Sequence, residues 1–287
     1  MPELPEVETI VQDLRKKILY KKIVKVDICL KRIVKGSNSS FVKILTNQYI
    51  KEIKRRGKLL IFSLSVKDKY LIIHLKMTGQ LVYKKGNKII GGGHEESSTV
   101  SNVPNKYSHV RIYFKDKSAL YYNDIRQFGF LKIISRKELD EYLDNYGVEP
   151  LSSNFTLAIL KKLLDKRRGN LKAFLLNQHH IVGLGNIYVD ESLFAAHILP
   201  TRKIDTLTSK EITSLFKAIV SILKRAVKAR GTTFNNYVDA DGNKGNFVNK
   251  LKVYQKDGEL CSRCKKMIIE KMVVAGRGTR YCPSCQK

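Results

Sequence analysis

The chain opens with a helical pattern of apolar positions. Apolar residues recur there at three- and four-residue intervals, which places them on one face of a helix. They are Val7, Ile10, Val11, Leu14 and Ile18. The prolines and glutamates that precede them are typical residues of a first helical turn. The pattern predicts an amphipathic helix at the start of the chain.

Short runs rich in β-branched residues follow this helix. They cover residues 23–30, 41–45, 58–64, 70–75, 109–114 and 119–122. Many short strands at close spacing predict an antiparallel sandwich or barrel. Residues 86–106 interrupt the series with glycine, serine and asparagine, a composition that predicts a mobile surface loop.

The second half of the chain changes to helical periodicity. Charged residues lead to Pro150 and predict a linker over residues 134–150. Leucines after residue 155 share one helical face. Further helices are predicted over residues 169–178, 188–196 and 208–229, and a loop rich in glycine and asparagine over 231–249.

These elements predict an α+β chain, and 287 residues suffice for two domains with cores of their own. Residues 1–133 are predicted to form a helix on an antiparallel β-sandwich. Residues 151–250 are predicted to be a helical domain, and residues 251–287 a metal-binding module.

The charge balance of the chain indicates the kind of partner that the protein binds. The chain has 54 lysines and arginines against 26 aspartates and glutamates, a net charge of +28. Such an excess indicates a polyanionic partner, most often nucleic acid, with an anionic membrane surface as the competitor. No apolar run approaches the length of a bilayer span, and the first residues lack the apolar core of a signal peptide. We therefore expect a protein that is neither membrane-spanning nor exported.

Four of the five cysteines form two Cys-x-x-Cys pairs. Cys261 and Cys264 make the first pair, Cys282 and Cys285 the second, and seventeen residues separate the pairs. This spacing predicts a tetrahedral four-thiolate zinc site on a β-hairpin, which is closed and therefore structural. Paired disulfides are the alternative, but a protein that is not exported disfavours them. Cys29 stands alone in an apolar run and is expected to lie in the core.

Residues 183–186, Gly-Leu-Gly-Asn, form a turn between two predicted helices. A dinucleotide-binding fingerprint would need a third glycine and a preceding strand, and both are missing. A glycine-rich turn that opens a helix still directs N–H groups at an anion, here most naturally a nucleic-acid backbone. His179 and His180 lack a carboxylate or cysteine at ligand spacing and are interpreted as polar surface residues.

The first residues of the chain are also candidates for a catalytic role. If Met1 is removed, Pro2 presents a secondary amine, and an α-amino group titrates near pH 8, far below a lysine. Such an amine can attack a carbonyl-level carbon to give an iminium. Glu3 and Glu6 supply carboxylates for proton transfer. The alternative for the same residues is an ordinary first helical turn.

Together these motifs resemble those of the bacterial formamidopyrimidine-DNA glycosylases, in order and over the whole chain. The resemblance lies in residues 2–9 (PELPEVET), 55–58 (RRGK), 74–79 (HLKMTG), 124–129 (DIRQFG), the turn 183–188, and the cysteine hairpin with 277–279 (RGT). The related endonuclease VIII branch typically has glycine where Leu4 stands, so Leu4 favours the branch that acts on oxidised purines. The segment between the cysteine pairs is one residue longer than is usual in the family.

The resemblance implies four catalytic residues. It implies Pro2 as the nucleophile at C1′ of the damaged nucleotide and Glu3 as the acid that assists base loss and sugar-ring opening. Lys58 matches the lysine of β-elimination. Arg277 matches the arginine of δ-elimination and phosphate contact.

The resemblance also implies a set of DNA contacts. Met77, Arg126 and Phe128 match side chains that fill the gap left by an extruded base, a role suited to apolar or planar groups. Taken singly and without the resemblance, Met77 and Phe128 are interpreted as core residues, and Arg126 and Lys58 as solvated charges. Contacts to the DNA backbone or lesion site are further implied for His74, Asn186, Arg167 and Lys172, and more weakly for His109.

The function implied is that of a bifunctional DNA repair enzyme. It would excise 8-oxoguanine and formamidopyrimidines through a Schiff base on an N-terminal proline, and cleave the strand by β,δ-elimination. The expectations include a helix-two-turn-helix domain, one structural Zn²⁺, double-stranded DNA bound between the domains, and a monomer in the bacterial cytoplasm at the nucleoid. Two alternatives stay open: a non-catalytic zinc-finger nucleic-acid-binding protein, and a pyrimidine-lesion glycosylase of the endonuclease VIII type, since the loop around 232–249 shapes the lesion pocket.

Overall fold

The computed structural model describes residues 1–93, 102–232 and 246–287, with the backbone alone at 90–93. The described chain divides into two units. The first comprises residues 1–144 and 229–248, and the second residues 145–228 and 249–287. Among the described residues, no helix is long and apolar enough to cross a bilayer.

Helix α1, Leu4–Ile18, begins the first unit as the apolar pattern predicts. All five apolar positions of the predicted face are buried. The glutamate of the first turn and the basic residues of the last turn complement the helix dipole. Arg15 fixes the helix to its neighbouring strand, since its Nε donates to the carbonyl oxygen of Ile53 at 2.7 Å.

The first unit is a sandwich of two five-stranded sheets. The strands are β1 Ile23–Ile28, β2 Val34–Lys35, β3 Ile50–Arg56, β4 Leu59–Leu64, β5 Tyr70–His74, β6 Gly79–Lys85, β7 Lys88–Gly93, β8 Ser108–Phe114, β9 Ala119–Asp124 and β10 Phe130–Ile134. The strand orders are β1-β8-β9-β6-β7 and β2-β10-β5-β4-β3, and the pairings are antiparallel except for the parallel pair β2 and β10. The predicted helix on an antiparallel sandwich is confirmed, and one apolar core joins α1 to both sheets.

Three local predictions for this unit are wrong. Residues 41–45 belong to helix α2, Asn38–Leu45, because the Ser37 hydroxyl caps it and Phe41 and Leu45 bury one helical face. Strand β7 lies within the predicted loop 86–106, of which residues 94–101 lie outside the described part. Cys29 is exposed and not in the core.

Residues 229–248 belong with the first unit, although the sequence predicts them within the helical domain. Arg230 donates to both carboxylate oxygens of the buried Asp13 at 2.6 Å, which fixes the returning segment to α1. Helix α3, Arg136–Asp144, follows β10 within the predicted linker. The Arg136 N–H donates to Asp68, so this helix is also fixed to the sandwich unit.

The second unit is helical with a two-stranded hairpin. Its helices are α4 Leu157–Leu164, α5 Leu171–Leu176, α6 Asn186–Ala195 and α7 Ser209–Lys228, and its strands β11 Glu270–Val274 and β12 Arg277–Tyr281. Ala275 and Gly276 have φ of 52° and 67°, the positive pair typical of a tight hairpin turn. Short 3₁₀ turns cover Lys31–Ile33, Ile204–Thr206 and Val248–Lys250.

Candidate active site and nucleic-acid-binding residues

Pro2 and Glu3 are buried where α1 begins. Glu3 is the N-cap residue, and its N–H donates to Glu6 Oε2 at 2.8 Å. This bond fixes the backbone beside Pro2, because Glu6 sits in the first turn of the helix. The backbone at Glu3 is therefore anchored to the first turn of α1.

The amine at the start of the chain, that of Met1 in this structure, has a pKa below its ordinary value of 8.0. Burial is the largest cause, and the positive charges of Lys58 and Arg126 act in the same direction. The carboxylates of Glu3 and Glu6 oppose the shift. Two carboxylates at the start of α1 and two basic side chains from other elements thus act on this amine, and burial decides the direction of the shift.

Lys58 lies in the tight turn between β3 and β4, where Gly57 takes a positive φ of 56°. The lysine is 7% exposed, unusual for an ammonium group. The strand before it is fixed to α1, since Arg55 donates to the Glu8 carboxylate at 2.7 Å. This pair positions the Lys58 turn relative to the helix that carries Pro2.

His74 ends strand β5, and its partner across the sheet is Leu59, the residue after Lys58. Burial, and then the charges of Lys76 and Lys58, lower the pKa of His74 to about 3. Its Nδ1 accepts from the Lys76 N–H at 3.0 Å, so the neutral ring carries its proton on Nε2. The ring is thereby left with one N–H donor.

Asp124 joins the two loops that carry Met77, Arg126 and Phe128. Its carboxylate is fully buried and accepts from the Thr78 hydroxyl at 2.5 Å and from the Gly129 N–H at 2.8 Å. The Thr78 oxygen in turn accepts from the Arg126 N–H at 2.9 Å. One buried carboxylate therefore fixes the β5–β6 and β9–β10 loops together.

The side chains on these loops face outward. Phe128 is 56% exposed and Met77 37% exposed, while the Arg126 guanidinium lies 4.7 Å from the centre of the Phe128 ring. Gly129 must be glycine, because a Cβ there would lie 2.7 Å from the carbonyl oxygen of His74. Met77 and Phe128 are therefore not core residues.

Glu6 makes a contact that sequence reasoning misses. Its Oε1 accepts from the Thr232 N–H at 2.8 Å and from the Thr232 hydroxyl at 3.1 Å. Gly231 takes a φ of 81°, a conformation that favours glycine, and a Cβ there would lie 2.7 Å from the same oxygen. The carboxylate beside the start of the chain thus also fixes the segment that enters residues 233–245, which lie outside the described part.

In the second unit, the β11–β12 hairpin is fixed to the start of α6. The Asn186 Nδ2 donates to the carbonyl oxygen of Gly278 at 2.8 Å. Arg277, the neighbouring residue, is exposed at the first position of β12. Glu191 on the same helix accepts the N–H groups of Lys252 and Val253, at 3.0 and 2.9 Å. Helix α6 therefore positions both the hairpin and the segment that leads into it.

The four paired cysteines form a zinc site. Cys261 and Cys285 have their sulfur atoms 3.9 Å apart, Cys264 and Cys282 3.8 Å, and all four sulfurs lie within 4.8 Å of one another. A tetrahedral zinc with bonds of about 2.3 Å requires sulfurs about 3.8 Å apart, whereas a disulfide requires about 2.0 Å. The geometry fits one structural Zn²⁺, which would hold both ends of the hairpin.

Family models match three segments of the chain. Residues 1–131 match the N-terminal domain of formamidopyrimidine-DNA glycosylase, residues 146–237 its H2TH domain, and residues 258–287 a zinc finger found in FPG and IleRS. Relatives named formamidopyrimidine-DNA glycosylase are 41% identical in Brevibacillus brevis, over 100% of this chain and 99% of the relative, and 42% identical in Carboxydothermus hydrogenoformans, over the full length of both. The chain belongs to the formamidopyrimidine-DNA glycosylase family.

Solved structures of the family agree with this membership. The wild-type Lactococcus lactis protein in complex with N7-benzyl-Fapy-dG DNA is 35% identical, with a TM-score of 0.88 and complete coverage of both chains. The same protein with abasic-site DNA has a TM-score of 0.88 at 35% identity over 99% of each chain. The predicted family and fold class are confirmed.

Two residues that the resemblance assigns to DNA contact are buried. His109 is 5% exposed, and its Nε2 donates to the carbonyl oxygen of Asp124 at 2.7 Å. Lys172 is fully buried, and its ammonium donates to Asp190 at 2.5 Å and to Thr279 at 2.7 Å. His109 therefore supports the end of β9 and Lys172 supports the hairpin. Arg167, by contrast, is exposed, and its Nη1 lies 3.3 Å from His180 Nε2.

Proposed function

We propose that the protein is a bifunctional DNA glycosylase and abasic-site lyase for oxidised purines in double-stranded DNA. The observation that carries the proposal is the environment of the chain's first amine. Burial and the charges of Lys58 and Arg126 lower its pKa, and Glu3 and Glu6 lie beside it. Family membership gives this arrangement its substrate class, and Leu4 in the opening motif favours purine lesions.

The first step is attack by the neutral amine of Pro2 on C1′ of the damaged nucleotide, after removal of Met1. The new N–C1′ bond replaces the bond to the base, the nitrogen loses its N–H proton, and the departing base takes up a proton. Glu3 assists proton transfer to O4′ as the C1′–O4′ bond breaks, and the nitrogen lone pair forms the iminium. The surroundings that lower the pKa of the Met1 amine would act in the same direction on an amine at Pro2, and so raise its neutral fraction, which is the form able to attack.

The second step is elimination of the flanking phosphates. The iminium acidifies the adjacent C2′–H, and its removal breaks the 3′ C–O bond, which releases the 3′ phosphate. Lys58 is buried, its charge acts on the amine of Met1, which precedes Pro2, and it serves this β-elimination. Arg277, exposed on the zinc hairpin, contacts phosphate and assists the δ-elimination that breaks the 5′ C–O bond.

Base extrusion depends on the exposed side chains of the sandwich loops. A base inside the duplex stack cannot be reached by the amine, so it must leave the stack at a cost of a few kcal/mol. Met77, Arg126 and Phe128 fill the vacated space on loops that Asp124 fixes. His74 offers its Nε2–H to a phosphate, and Asn186 and Arg167 add contacts from the helical unit, whereas His109 and Lys172 act through the elements they support.

We further propose that the enzyme acts as a monomer at the nucleoid in the bacterial cytoplasm. The structural zinc supplies no chemistry to either step. Cys261, Cys264, Cys282 and Cys285 hold it, and it fixes the hairpin that carries Arg277.

A lesion panel tests the proposal and separates it from the alternatives. Matched duplexes carrying 8-oxoguanine, a formamidopyrimidine, an oxidised pyrimidine or no lesion are incubated with the purified protein, and base release and strand cleavage are followed separately. We expect base release from both purine lesions and strand breaks with phosphate at both ends. Preferred cleavage of the pyrimidine lesion would favour an endonuclease VIII-type activity, and binding without base release would favour a non-catalytic protein.

A further inference from the structure

Two acidic residues of α1 hold one short stretch of the returning segment 229–248. Glu6 and Asp13 are separated by about two helical turns, so their side chains leave the same side of the helix. Arg230 contacts Asp13, and Thr232, two residues further along the chain, contacts Glu6. The stretch therefore lies along α1 and leads back to the turn beside Pro2.

Arg230 has a backbone conformation that favours glycine. Its φ is 63°, and Gly231 follows with a φ of 81°. A side chain at such a φ is strained, whereas glycine adopts it freely. The arginine side chain offsets this strain, because its Nη2 lies 2.6 Å from both carboxylate oxygens of Asp13. The conformation of the stretch therefore depends on this ion pair.

The ion pair is largely removed from water. Asp13 is 3% exposed, and the side chain of Arg230 is 21% exposed. The attraction between two charges is stronger and less screened by salt when solvent is excluded from them. The pair is thus suited to holding the stretch in one geometry.

Glu6 connects the stretch to the start of the chain. Its Oε1 accepts from the N–H and the hydroxyl of Thr232, at 2.8 and 3.1 Å, and its Oε2 accepts the N–H of Glu3 at 2.8 Å. The charge of Glu6 also acts on the amine of Met1. Because Thr232 holds one oxygen, the other is directed at the backbone beside Pro2. A shift of Thr232 would therefore rotate this carboxylate.

We propose that Asp13 and Arg230 are positioning residues for attack by the Pro2 amine. They act through Thr232 and Glu6, which hold the backbone beside that amine. The assignment rests on the proposed function, since it concerns the step in which the amine attacks C1′. A displacement of about 1 Å at a reacting group slows a reaction by about a hundredfold, so such a link affects the rate without contacting the substrate.

Single-turnover cleavage of an abasic-site duplex tests the proposal, because this substrate needs amine attack but no extrusion of a base. Arg230→Gly removes the side chain and keeps a residue that adopts the left-handed conformation. We expect the rate at saturating protein to fall roughly tenfold to a hundredfold, and the half-saturating protein concentration to stay nearly unchanged. Borohydride trapping should slow by the same factor, with the adduct still on Pro2.

Lys117→Gly is the matched control. Lys117 is exposed, has a φ of 62° and lies in the β8–β9 turn, at the opposite end of β9 from Asp124. This substitution also removes one positive charge and one strained side chain from the sandwich unit. It should leave both the saturating rate and the half-saturating concentration unchanged.

Asp13→Asn tests the same link from the helix. It should slow the reaction by a factor similar to that of Arg230→Gly. The double variant should be no slower than the slower single variant, because both substitutions remove one interaction. A purely structural pair would lower the unfolding temperature and leave the saturating rate, measured well below that temperature, as in the wild type. That result would overturn the proposal, as would a loss of DNA affinity at an unchanged saturating rate.

The two proposals fail in different ways. A wild-type protein that neither releases a damaged base nor cleaves abasic DNA would contradict the proposed function, and this assignment with it. A wild-type protein that cleaves, with Arg230→Gly and Asp13→Asn equally fast, would keep the proposed function and lose only the positioning role.

Discussion

Thr78 donates its hydroxyl hydrogen to Asp124 across 2.5 Å, and this bond joins two loops of the sandwich unit. The same carboxylate accepts the Gly129 N–H, so the loop with Met77 and the loop with Phe128 share one buried anchor. Both loops keep apolar side chains exposed on a rigid base. Such side chains can enter a base stack without first paying the entropy of ordering a loop.

The first prediction concerns Phe128. We expect Phe128→Ala to slow excision of a paired 8-oxoguanine by roughly tenfold to a hundredfold, because one stacking contact contributes about 1–3 kcal/mol. Cleavage of a preformed abasic site should change much less, since that nucleotide has already lost its base. Single-turnover rates on the two duplexes check this.

The control for Phe128 is Tyr20→Ala, which removes an aromatic side chain 68% exposed beyond the other end of α1. It should leave both rates unchanged. The temperature of thermal unfolding should change little in either variant. Equal slowing of both substrates by Phe128→Ala would make Phe128 a general docking residue, and loss of the fold would make it a core residue.

The second prediction concerns the zinc site. Cys282→Ser should release the metal and abolish DNA binding, because metal binding and folding of the hairpin are coupled and Arg277 loses its support. Metal content by mass spectrometry and affinity for abasic-site duplex check this. Ser262→Ala, an exposed position between the first two cysteines, is the control and should retain both. Normal cleavage by the zinc-free variant would exclude the hairpin from the active site.

The third prediction concerns the buried pair of Lys172 and Asp190. Lys172→Met should lower the free energy of unfolding by about 3–5 kcal/mol, because it leaves a buried carboxylate without its cation. The double variant Lys172→Met with Asp190→Leu should recover most of that loss. Urea denaturation of both variants checks this. A stable Lys172→Met that loses DNA affinity would instead make Lys172 a direct DNA contact.

The fourth prediction is the acid sensitivity contributed by His74. The pKa of His74 is about 3 in the folded protein, against about 6.5 in an unfolded chain. Between these values the unfolded chain binds a proton that the folded one does not, so stability falls as the pH decreases from about 6.5 towards 3. His74→Asn should make this loss of stability with decreasing pH smaller. Urea denaturation across this range checks it, and an unchanged pH profile in the variant would contradict it.

Much of the fold and of the candidate site follows from local sequence. The amphipathic repeat predicts α1, and the two Cys-x-x-Cys pairs predict the zinc hairpin, because each pattern is contained in a short segment. The strand predicted over residues 41–45 is wrong, because Ser37, which lies outside the apolar run, caps a helix there. An apolar run of five residues does not distinguish the two structures without its flanking residues.

The supporting residues could not be predicted in the same way. Asp124, Glu6 and Glu191 act through partners that the fold brings from elsewhere, such as Thr232, which lies 226 positions from Glu6. No spacing pattern in the sequence relates these residues to their partners. The roles of Lys172 and His109 depend on burial, which a family motif does not report.

The most direct test of the central claim is borohydride trapping during reaction with an 8-oxoguanine duplex, followed by peptide mass spectrometry. The reductant converts the iminium between enzyme and sugar into a stable amine. We predict one covalent protein–DNA adduct, on the nitrogen of Pro2 in chains that have lost Met1, and its absence together with most of the lyase activity in Pro2→Gly, which should still bind DNA. An adduct on a lysine, with Pro2→Gly fully active, would contradict the account.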